Sequence, residues 1–239
     1  GRARRQERRW DDVKGVMAAC ASDTGLVRKR NEDSYFVGGS CIAVADGMGG
    51  HNAGEVASSI AIETVESNTA LLETGEMEPA ECVREANLRV LEAASSDSAL
   101  SGMGTTLTLA VWDDADIKVA HVGDSRAYLV SGGTIQRLTD DHSVVGEMVR
   151  SGALTPDEAH SHPGRHAITR ALGFVEDLEV DQGTWGFGPG DVVLLCTDGL
   201  HDVVSDQEIL EAVMAKSGDG PEAICEFLVA VAKERGGPD

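Results

Sequence analysis

Two aspartates, each followed by glycine, stand at the ends of apolar segments and carry the clearest chemical signal in the chain. Asp46-Gly47 follows the segment Cys41–Ala45, and Asp198-Gly199 follows Val192–Thr197. A carboxylate at a strand end is held at the edge of the core, and the glycine lets a backbone carbonyl approach a ligand closely. No cysteine or clear histidine set accompanies these acids, so converging carboxylates of this kind predict a hard-oxygen site for Mg²⁺ or Mn²⁺ rather than zinc.

Two further aspartates lie next to a glycine, and there an ordinary turn is the competing interpretation. Gly123-Asp124 follows the apolar segment Ile117–Val122 and therefore resembles the other strand-end acids. Its alternative role is to pair with Arg126 or to cap a turn. We interpret Asp219-Gly220 as a turn.

The segments that must position these acids are short apolar strands in hairpin-like runs, with long amphipathic helices at intervals. This pattern favours an α+β fold with antiparallel sheets covered by helices over strict βαβ alternation. We expect strands at Val16–Ser22, Cys41–Ala45, Thr105–Trp112, Ile117–Val122, Ala127–Val130, Thr134–Leu138 and Asp191–Thr197. We expect helices at Gly54–Ser67, Pro79–Ala94, His142–Ser151, from Thr155, from Ser205 to about Ala215, and at Pro221–Arg235.

The chain is strongly acidic. Its 239 residues include 20 basic and 41 acidic side chains, for a formal charge of −21. Such a field repels nucleic acid and anionic membranes. It suits a protein that concentrates divalent cations, and it equally suits plain solubility. With no repeat and no low-complexity linker, we expect one domain over residues 15–239.

The apolar and cysteine patterns favour a cytoplasmic protein. No apolar run approaches the length of a membrane span, and no signal-peptide pattern occurs. The five cysteines are widely spaced, odd in number and without a CxxC motif. This argues against a disulfide framework or a zinc ribbon and favours small buried side chains in a reducing compartment.

Basic residues concentrate at the start of the chain. Residues 1–9 contain five arginines and a single acid, Glu7. We treat residues 1–14 either as a basic arm for an acidic partner or as a frayed terminus or cloning remnant.

Seven motifs, in order from Ser22 to Asp239, together resemble the type 2C protein phosphatases, the metal-dependent Ser/Thr phosphatase family, and in particular its bacterial branch. Any one of these motifs is weak, but the ordered set is very specific. The motifs are Ser22–Ser34, Asp46–His51 with Gly54-Glu55, Met103–Thr106, Val122–Arg126, Ile168–Gly173, Cys196–Leu200 and Gly236–Asp239.

The resemblance implies a fold of two packed antiparallel β-sheets flanked by helices, a four-layer sandwich. It also implies site roles. Asp46 is similar to the carboxylate that bridges two metals, and Arg28 is similar to the arginine that grips the substrate phosphate; the alternative for Arg28 is a surface ion pair. Three further roles are implied. The Gly47 carbonyl, Asp198 and Asp239 would ligate the metals, Asp33 with Glu32 beside it would hold metal-bound waters, and Asp124 would ligate a third, weaker metal.

The function implied is hydrolysis of phosphoserine and phosphothreonine in proteins. A water bridging two Mn²⁺ or Mg²⁺ ions would attack phosphorus in line, without a phosphoenzyme. The partners implied are phosphorylated proteins, in particular a Ser/Thr kinase and its substrates. The chain itself is expected to be a monomer. Two alternatives stay open: a pseudophosphatase that binds without turnover, and a hydrolase of small phosphomonoesters.

The chain departs from the family pattern at two places. Met48 stands where animal members have a histidine proposed as the general acid, so His51 or a metal-bound water must deliver that proton. The family pattern also continues past its last aspartate with a final strand, which we expect to be missing after residue 239.

The segment from about residue 143 to 166 corresponds to a variable flap beside the active site. Its histidines, from His160 to His166, suggest either a transition-metal site or a solvated loop. We favour the solvated flap, because Pro163 and Gly164 interrupt it.

Overall fold

The computed structural model describes residues 15–49 and 53–237. Within these ranges the chain forms nine strands and seven α-helices, with groups of strands followed by groups of helices. The strands are β1 (Asp33–Gly38), β2 (Cys41–Met48), β3 (Gly104–Thr105), β4 (Leu107–Trp112), β5 (Asp116–Val122), β6 (Arg126–Ser131), β7 (Thr134–Arg137), β8 (Asp181–Gly186) and β9 (Val192–Cys196). The helices are α1 (Ala53–Thr74), α2 (Pro79–Ser96), α3 (Val144–Arg150), α4 (Pro156–Ser161), α5 (Asp198–His201), α6 (Asp206–Lys216) and α7 (Pro221–Glu234).

The strands form two antiparallel sheets. The larger has the order β1-β2-β4-β5-β8, with the short β3 also pairing with β2, and the smaller has the order β7-β6-β9. Together with the flanking helices they make the two-sheet α+β sandwich that the sequence predicts.

Three layers of apolar side chains hold the sandwich together. One lies between the larger sheet and helices α1 and α2, around Val65, Val83 and Leu109. A second lies between the smaller sheet and helices α6 and α7, around Ile209 and Leu228. The third fills the space between the two sheets and includes Trp112, Ile117, Val119 and Ala127. The four layers are therefore helix, sheet, sheet and helix.

Helix starts follow the capping signals in the sequence. Thr155 with Glu158 and Ser205 with Glu208 form the capping boxes at α4 and α6. In each box the hydroxyl accepts a backbone N–H, and the glutamate carboxylate accepts the N–H of the cap residue. The predicted helix starts at these two places are confirmed.

The prediction of a strand at Val16–Ser22 is wrong: no strand forms there in the described part of the chain. Only Val16 forms an isolated bridge, and the following residues have no regular structure. An apolar run makes a strand only where a neighbouring strand edge supplies hydrogen bonds, a property the run does not itself encode.

No helix among the described residues is both long and apolar enough to cross a membrane.

Candidate metal centre

Asp33 and Asp46 face each other as paired residues of β1 and β2. The backbone of Asp46 is fixed on its other side. Its N–H donates to Thr106 Oγ1 at 2.9 Å, and its carbonyl accepts from the Thr106 N–H and the Thr105 hydroxyl, both at 2.9 Å. The Asp46 carboxylate therefore projects from a strand whose position is set from both sides.

Gly47 lies where strand β2 meets the first turn of helix α1. A Cβ placed on Gly47 would come within 2.2 Å of the Gly54 carbonyl oxygen, and one on Gly54 would meet the Gly47 carbonyl at 2.8 Å. Contacts this short leave no room for a side chain at either residue. The two glycines thus bring the helix start directly against the Asp46-Gly47 dipeptide.

Asp198 is brought to the same region by the smaller sheet. It is the first residue of α5, directly after β9 and its N-cap Thr197. The Thr197 hydroxyl donates to Asp33 Oδ2 at 2.8 Å. This bond joins the end of β9 to the start of β1, so the acids of the two sheets converge at one edge of the sandwich.

Asp124 is the most deeply buried of the predicted carboxylate ligands within the described residues, with 8% of its surface exposed. Its Oδ1 has no hydrogen-bond partner among the described residues. Burial, and after it the negative charge of Asp198, raises the pKa of Asp124 to about 7. Its predicted alternative partner is engaged elsewhere, because Arg126 bonds Asp141 at 2.7 Å.

Two histidines hold the backbone around Asp124. His201 Nε2 donates to the Asp124 carbonyl at 3.0 Å. His142 Nδ1 accepts the Gly123 N–H at 3.1 Å, which leaves its Nε2 to face Asp181 Oδ2 at 3.1 Å. The Asp124 backbone is therefore fixed while one carboxylate oxygen keeps its hydrogen-bonding capacity.

Arg28 lies at the surface, with 48% of its side chain exposed. Its Nη1 donates to Glu32 Oε2 at 3.1 Å. This is the surface ion pair that the sequence left open as the alternative. It also holds the guanidinium next to Glu32, the immediate neighbour of Asp33.

Two predicted site residues, Asp239 and His51, lie outside the described residues, as does the basic segment 1–14. Met48 is the last residue of β2 and is partly buried.

Asp202 and His166 join the acids; the sequence pointed to neither as a partner of Asp198, although the histidines from His160 to His166 had left a transition-metal site open beside the favoured solvated flap. One ligand atom each from His166, Asp198 and Asp202 lie within 4.8 Å of one another. A signal for Asp202 was available, since a residue four positions after Asp198 on a helix falls on the same face. His166 comes from a distant segment, and no local pattern links it to residue 198.

The donor set fits hard divalent cations. Asp46, the Gly47 carbonyl, Asp124 and Asp198 offer oxygen ligands of the kind that Mg²⁺ and Mn²⁺ bind. A buried carboxylate oxygen without a hydrogen bond, beside a second carboxylate, is unfavourable unless a proton or a cation compensates it. The Asp124 and Asp198 pair therefore needs either a proton on Asp124, whose pKa is raised, or a cation beside it.

Comparison with known families and sequences agrees with this chemistry. The protein phosphatase 2C family profile matches residues 27–233. The chain is 41% identical to the serine/threonine protein phosphatase PstP of Mycobacterium tuberculosis, over 92% of this chain and 43% of that protein. It is 36% identical to the serine/threonine phosphatase stp of Listeria welshimeri, over 94% of this chain and 92% of that protein. The chain thus spans less than half the length of the mycobacterial relative.

A solved structure supports the same relationship. The crystal structure of the catalytic domain of PstP in complex with two manganese ions superposes with a TM-score of 0.81 at 38% identity, covering 92% of this chain and 93% of that one.

Proposed function

Because this chain belongs to the bacterial branch of the protein phosphatase 2C family, we propose that it hydrolyses phosphoserine and phosphothreonine in proteins. One observation carries the proposal: strand-end acids from both sheets, Asp46 and Asp198, converge at one edge of the sandwich through the bond from Thr197 to Asp33. A carboxylate cluster at that edge is the arrangement that metal-assisted phosphate hydrolysis requires.

The proposed metals are two tightly bound Mn²⁺ or Mg²⁺ ions, with a third, weaker ion at Asp124. Asp46, the Gly47 carbonyl, Asp198 and Asp239 would hold the tight pair. When bound, such ions supply an activated water and neutralise charge on the phosphate. The two manganese ions in the PstP structure support a two-metal site of this kind.

The side chains around the metals have proposed roles of their own. Arg28 binds the substrate phosphate, since a guanidinium matches two phosphate oxygens at once. To do so it must exchange its present partner Glu32 for substrate. Asp33 orients bound water, and its own orientation is set by the Thr197 hydroxyl.

The proposed setting is a cytoplasmic monomer that acts on the products of a Ser/Thr kinase. The five cysteines, all free in the structure, support a reducing compartment. No side chain has to serve as a covalent nucleophile in this chemistry, and burial raises the pKa of the Cys196 thiol to about 12, where it is a poor one.

The deciding experiment is Mn²⁺-dependent phosphate release from phosphothreonine peptides by the purified chain. We expect turnover with Mn²⁺ or Mg²⁺, none after chelation, and a preference for phosphopeptides over sugar phosphates. Asp46→Asn and Asp198→Asn should each abolish turnover. Asp219→Asn is the matched control, because Asp219 also precedes a glycine but pairs with Lys216 at an exposed turn.

Two results would overturn the proposal. Undiminished activity after rigorous metal stripping would exclude metal-assisted hydrolysis. Phosphopeptide binding without any phosphate release, at saturating Mn²⁺, would instead identify a pseudophosphatase.

A further inference from the structure

His166 is the one nitrogen donor in the metal-sized group that it forms with Asp198 and Asp202. Its Nδ1 lies 3.6 Å from Asp202 Oδ2, and 55% of its side chain is exposed. Asp198 and Asp202 belong to the chain around α5, whereas His166 ends the 143–166 segment that carries α3 and α4. The group therefore joins two parts of the fold that are distant in sequence.

A second, independent feature points into the same place. Asp124 lines the open cavity of about 740 Å³ that also contains His166, Asp198 and Asp202. More than nine-tenths of Asp124 is buried, and its Oδ1 has no hydrogen-bond partner among the described residues. A buried carboxylate oxygen without a hydrogen bond is unfavourable by itself. A cation bound between this oxygen and the group of one imidazole and two carboxylates would compensate it.

Within residues 15–49 and 53–237, the basic side chain that lies beside Asp202 in addition to the histidines is Arg165, whose Nε is 3.9 Å from Asp202 Oδ2. That distance is too long for a hydrogen bond. Arg165 therefore offsets part of the negative charge of Asp202 without a hydrogen bond to that oxygen.

We propose that His166 is a nitrogen ligand to a cation held together with Asp198 and Asp202. This inference rests on the proposed third ion near Asp124 and deepens it. The family resemblance of the sequence implied that ion from carboxylates alone; the structure adds an imidazole from the 143–166 segment.

The imidazole changes which metal the site selects. Mg²⁺ prefers an all-oxygen environment and keeps its waters, whereas nitrogen ligands favour transition metals such as Mn²⁺ over Mg²⁺. The site therefore discriminates against Mg²⁺ more strongly than a carboxylate-only site would. An ion held there also links the 143–166 segment to α5.

The test is electron spin-echo spectroscopy of Mn²⁺ bound to the purified chain, with a parallel Mn²⁺ titration. We expect ¹⁴N coupling to the weakest-bound Mn²⁺ in the wild type. His166→Gln should remove that coupling and lower the affinity for the third Mn²⁺ by about tenfold or more. Losing only a hydrogen-bond partner of a metal ligand already has an effect of that size. The first two Mn²⁺ ions should bind as before, and the Mn²⁺-over-Mg²⁺ preference of the third should shrink.

His160→Gln is the matched control. His160 lies on the same segment and lines the same cavity, but it is outside the metal-sized group. It should leave both the coupling and the titration unchanged. Both side chains are exposed, so circular dichroism should show both variants folded.

The outcomes separate this inference from the proposed function. Absence of ¹⁴N coupling in the wild type, or equal coupling in His166→Gln, overturns the role of His166 even if phosphopeptides are hydrolysed. Coupling that depends on His166 in a chain without any phosphatase activity supports the cation site and contradicts the proposed function.

Discussion

At the scale of single residues, some acids of the candidate site can be predicted from the sequence more directly than others. Asp46 and Asp198 are recognisable because each ends an apolar segment and precedes a glycine. Asp33 is recognisable only through its family motif, since the strand that carries it, β1, was not predicted. Thr197 could not be found from a local pattern, because its partner Asp33 lies 164 residues away. His166 was visible only as part of a histidine cluster, because its partners Asp198 and Asp202 lie in a distant segment.

Arg28 offers a direct test at this scale. Arg28→Ala should lower kcat/KM for a phosphopeptide by about tenfold or more, the scale of a charge-assisted hydrogen-bond pair. Its melting temperature should hardly change, because an exposed ion pair stabilises a fold by at most about 1 kcal/mol. Steady-state kinetics and thermal unfolding measure both effects.

Arg30→Ala is the control for that prediction. Arg30 is also an exposed arginine beside a glutamate, with its Nη1 3.7 Å from Glu55 Oε2. It should keep normal kinetics. A large loss of stability in Arg28→Ala, with normal kinetics in the folded fraction, would show that Arg28 serves only its ion pair with Glu32.

Asp124 carries the second prediction at this scale. Asp124→Asn should retain the two tight metals and lose the weaker third. Turnover of phosphopeptide should fall strongly, with less loss for p-nitrophenyl phosphate, whose leaving group hardly needs a proton. Metal titration with kinetics on both substrates measures this; equal, small effects on both would leave Asp124 a structural residue.

The metal-free form of the same variant gives a second readout. The pKa of Asp124 is raised to about 7, so its stabilising contribution is present at low pH and is lost as pH rises through 7. At pH 8 the buried charge beside Asp198 is unfavourable. The metal-free Asp124→Asn chain should therefore be at least as stable as the wild type there, by thermal unfolding.

At the scale of elements, helix starts were easier to predict than strands. Ser205 and Thr155 predict the starts of α6 and α4. In each case the hydroxyl accepts the backbone N–H of a glutamate three residues later, and that glutamate's carboxylate accepts the N–H of the hydroxyl residue. The strand β8 (Asp181–Gly186) was missed because it alternates exposed and half-exposed residues and contains no apolar run. A strand of this kind is stabilised by its pairing with β5, which the local sequence does not contain.

The contact between β2 and α1 gives the prediction at this scale. Gly54→Ala should destabilise the chain by about 1–3 kcal/mol, the usual cost of an overpacked contact, despite alanine's better helix propensity. It should also weaken the tight metals, because the new methyl group pushes against the Gly47 carbonyl. Denaturant unfolding and Mn²⁺ titration measure the two effects.

Gly186→Ala is the control for that substitution. A Cβ on Gly186 meets nothing within 4 Å. Its unfolding free energy and its Mn²⁺ affinity should both stay close to the wild type. If Gly54→Ala also left both quantities unchanged, the close approach of the helix to β2 would not be what positions Gly47.

At the scale of the whole molecule, the sandwich was predicted correctly, whereas the position of its buried histidines was not. Hairpin-like strands with helices at intervals determine the architecture, because each apolar face must be covered. Which polar side chains become enclosed depends on how the layers dock. His121 shows this, since it lies on β5 opposite Thr108 with 1% of its surface exposed.

His121 predicts acid sensitivity of the entire fold. Burial, with the nearby His142 ring as the next cause, lowers its pKa to about 3, although Asp141 and Asp181 act in the opposite direction. The unfolded chain then binds a proton that the folded chain does not. Stability is therefore lost as pH falls below about 6.5, by up to about 1.4 kcal/mol per pH unit for this residue.

The variant His121→Gln isolates that contribution. It should be less stable than the wild type at pH 7, because it loses the bonds to Thr108 and to the Asp140 carbonyl. Its unfolding free energy should nevertheless depend less steeply on pH between about 6 and 4. Urea unfolding across that range measures the slope, and the exposed His160→Gln should keep the wild-type slope; equal slopes in all three would contradict the assignment.

The bond from Thr197 to Asp33 has a consequence for the order of events during biosynthesis. A ribosome delivers the chain from its amino end, so Asp33 and Asp46 emerge long before residue 198. Until then Asp33 and Asp46 lack the Thr197 hydroxyl and Asp198 on the opposite side. In the proposed metal centre these early acids alone would bind a divalent cation weakly, because such ions need several oxygen ligands. A nascent chain halted between α1 and β9 is therefore expected to lack the proposed metal centre and the proposed activity.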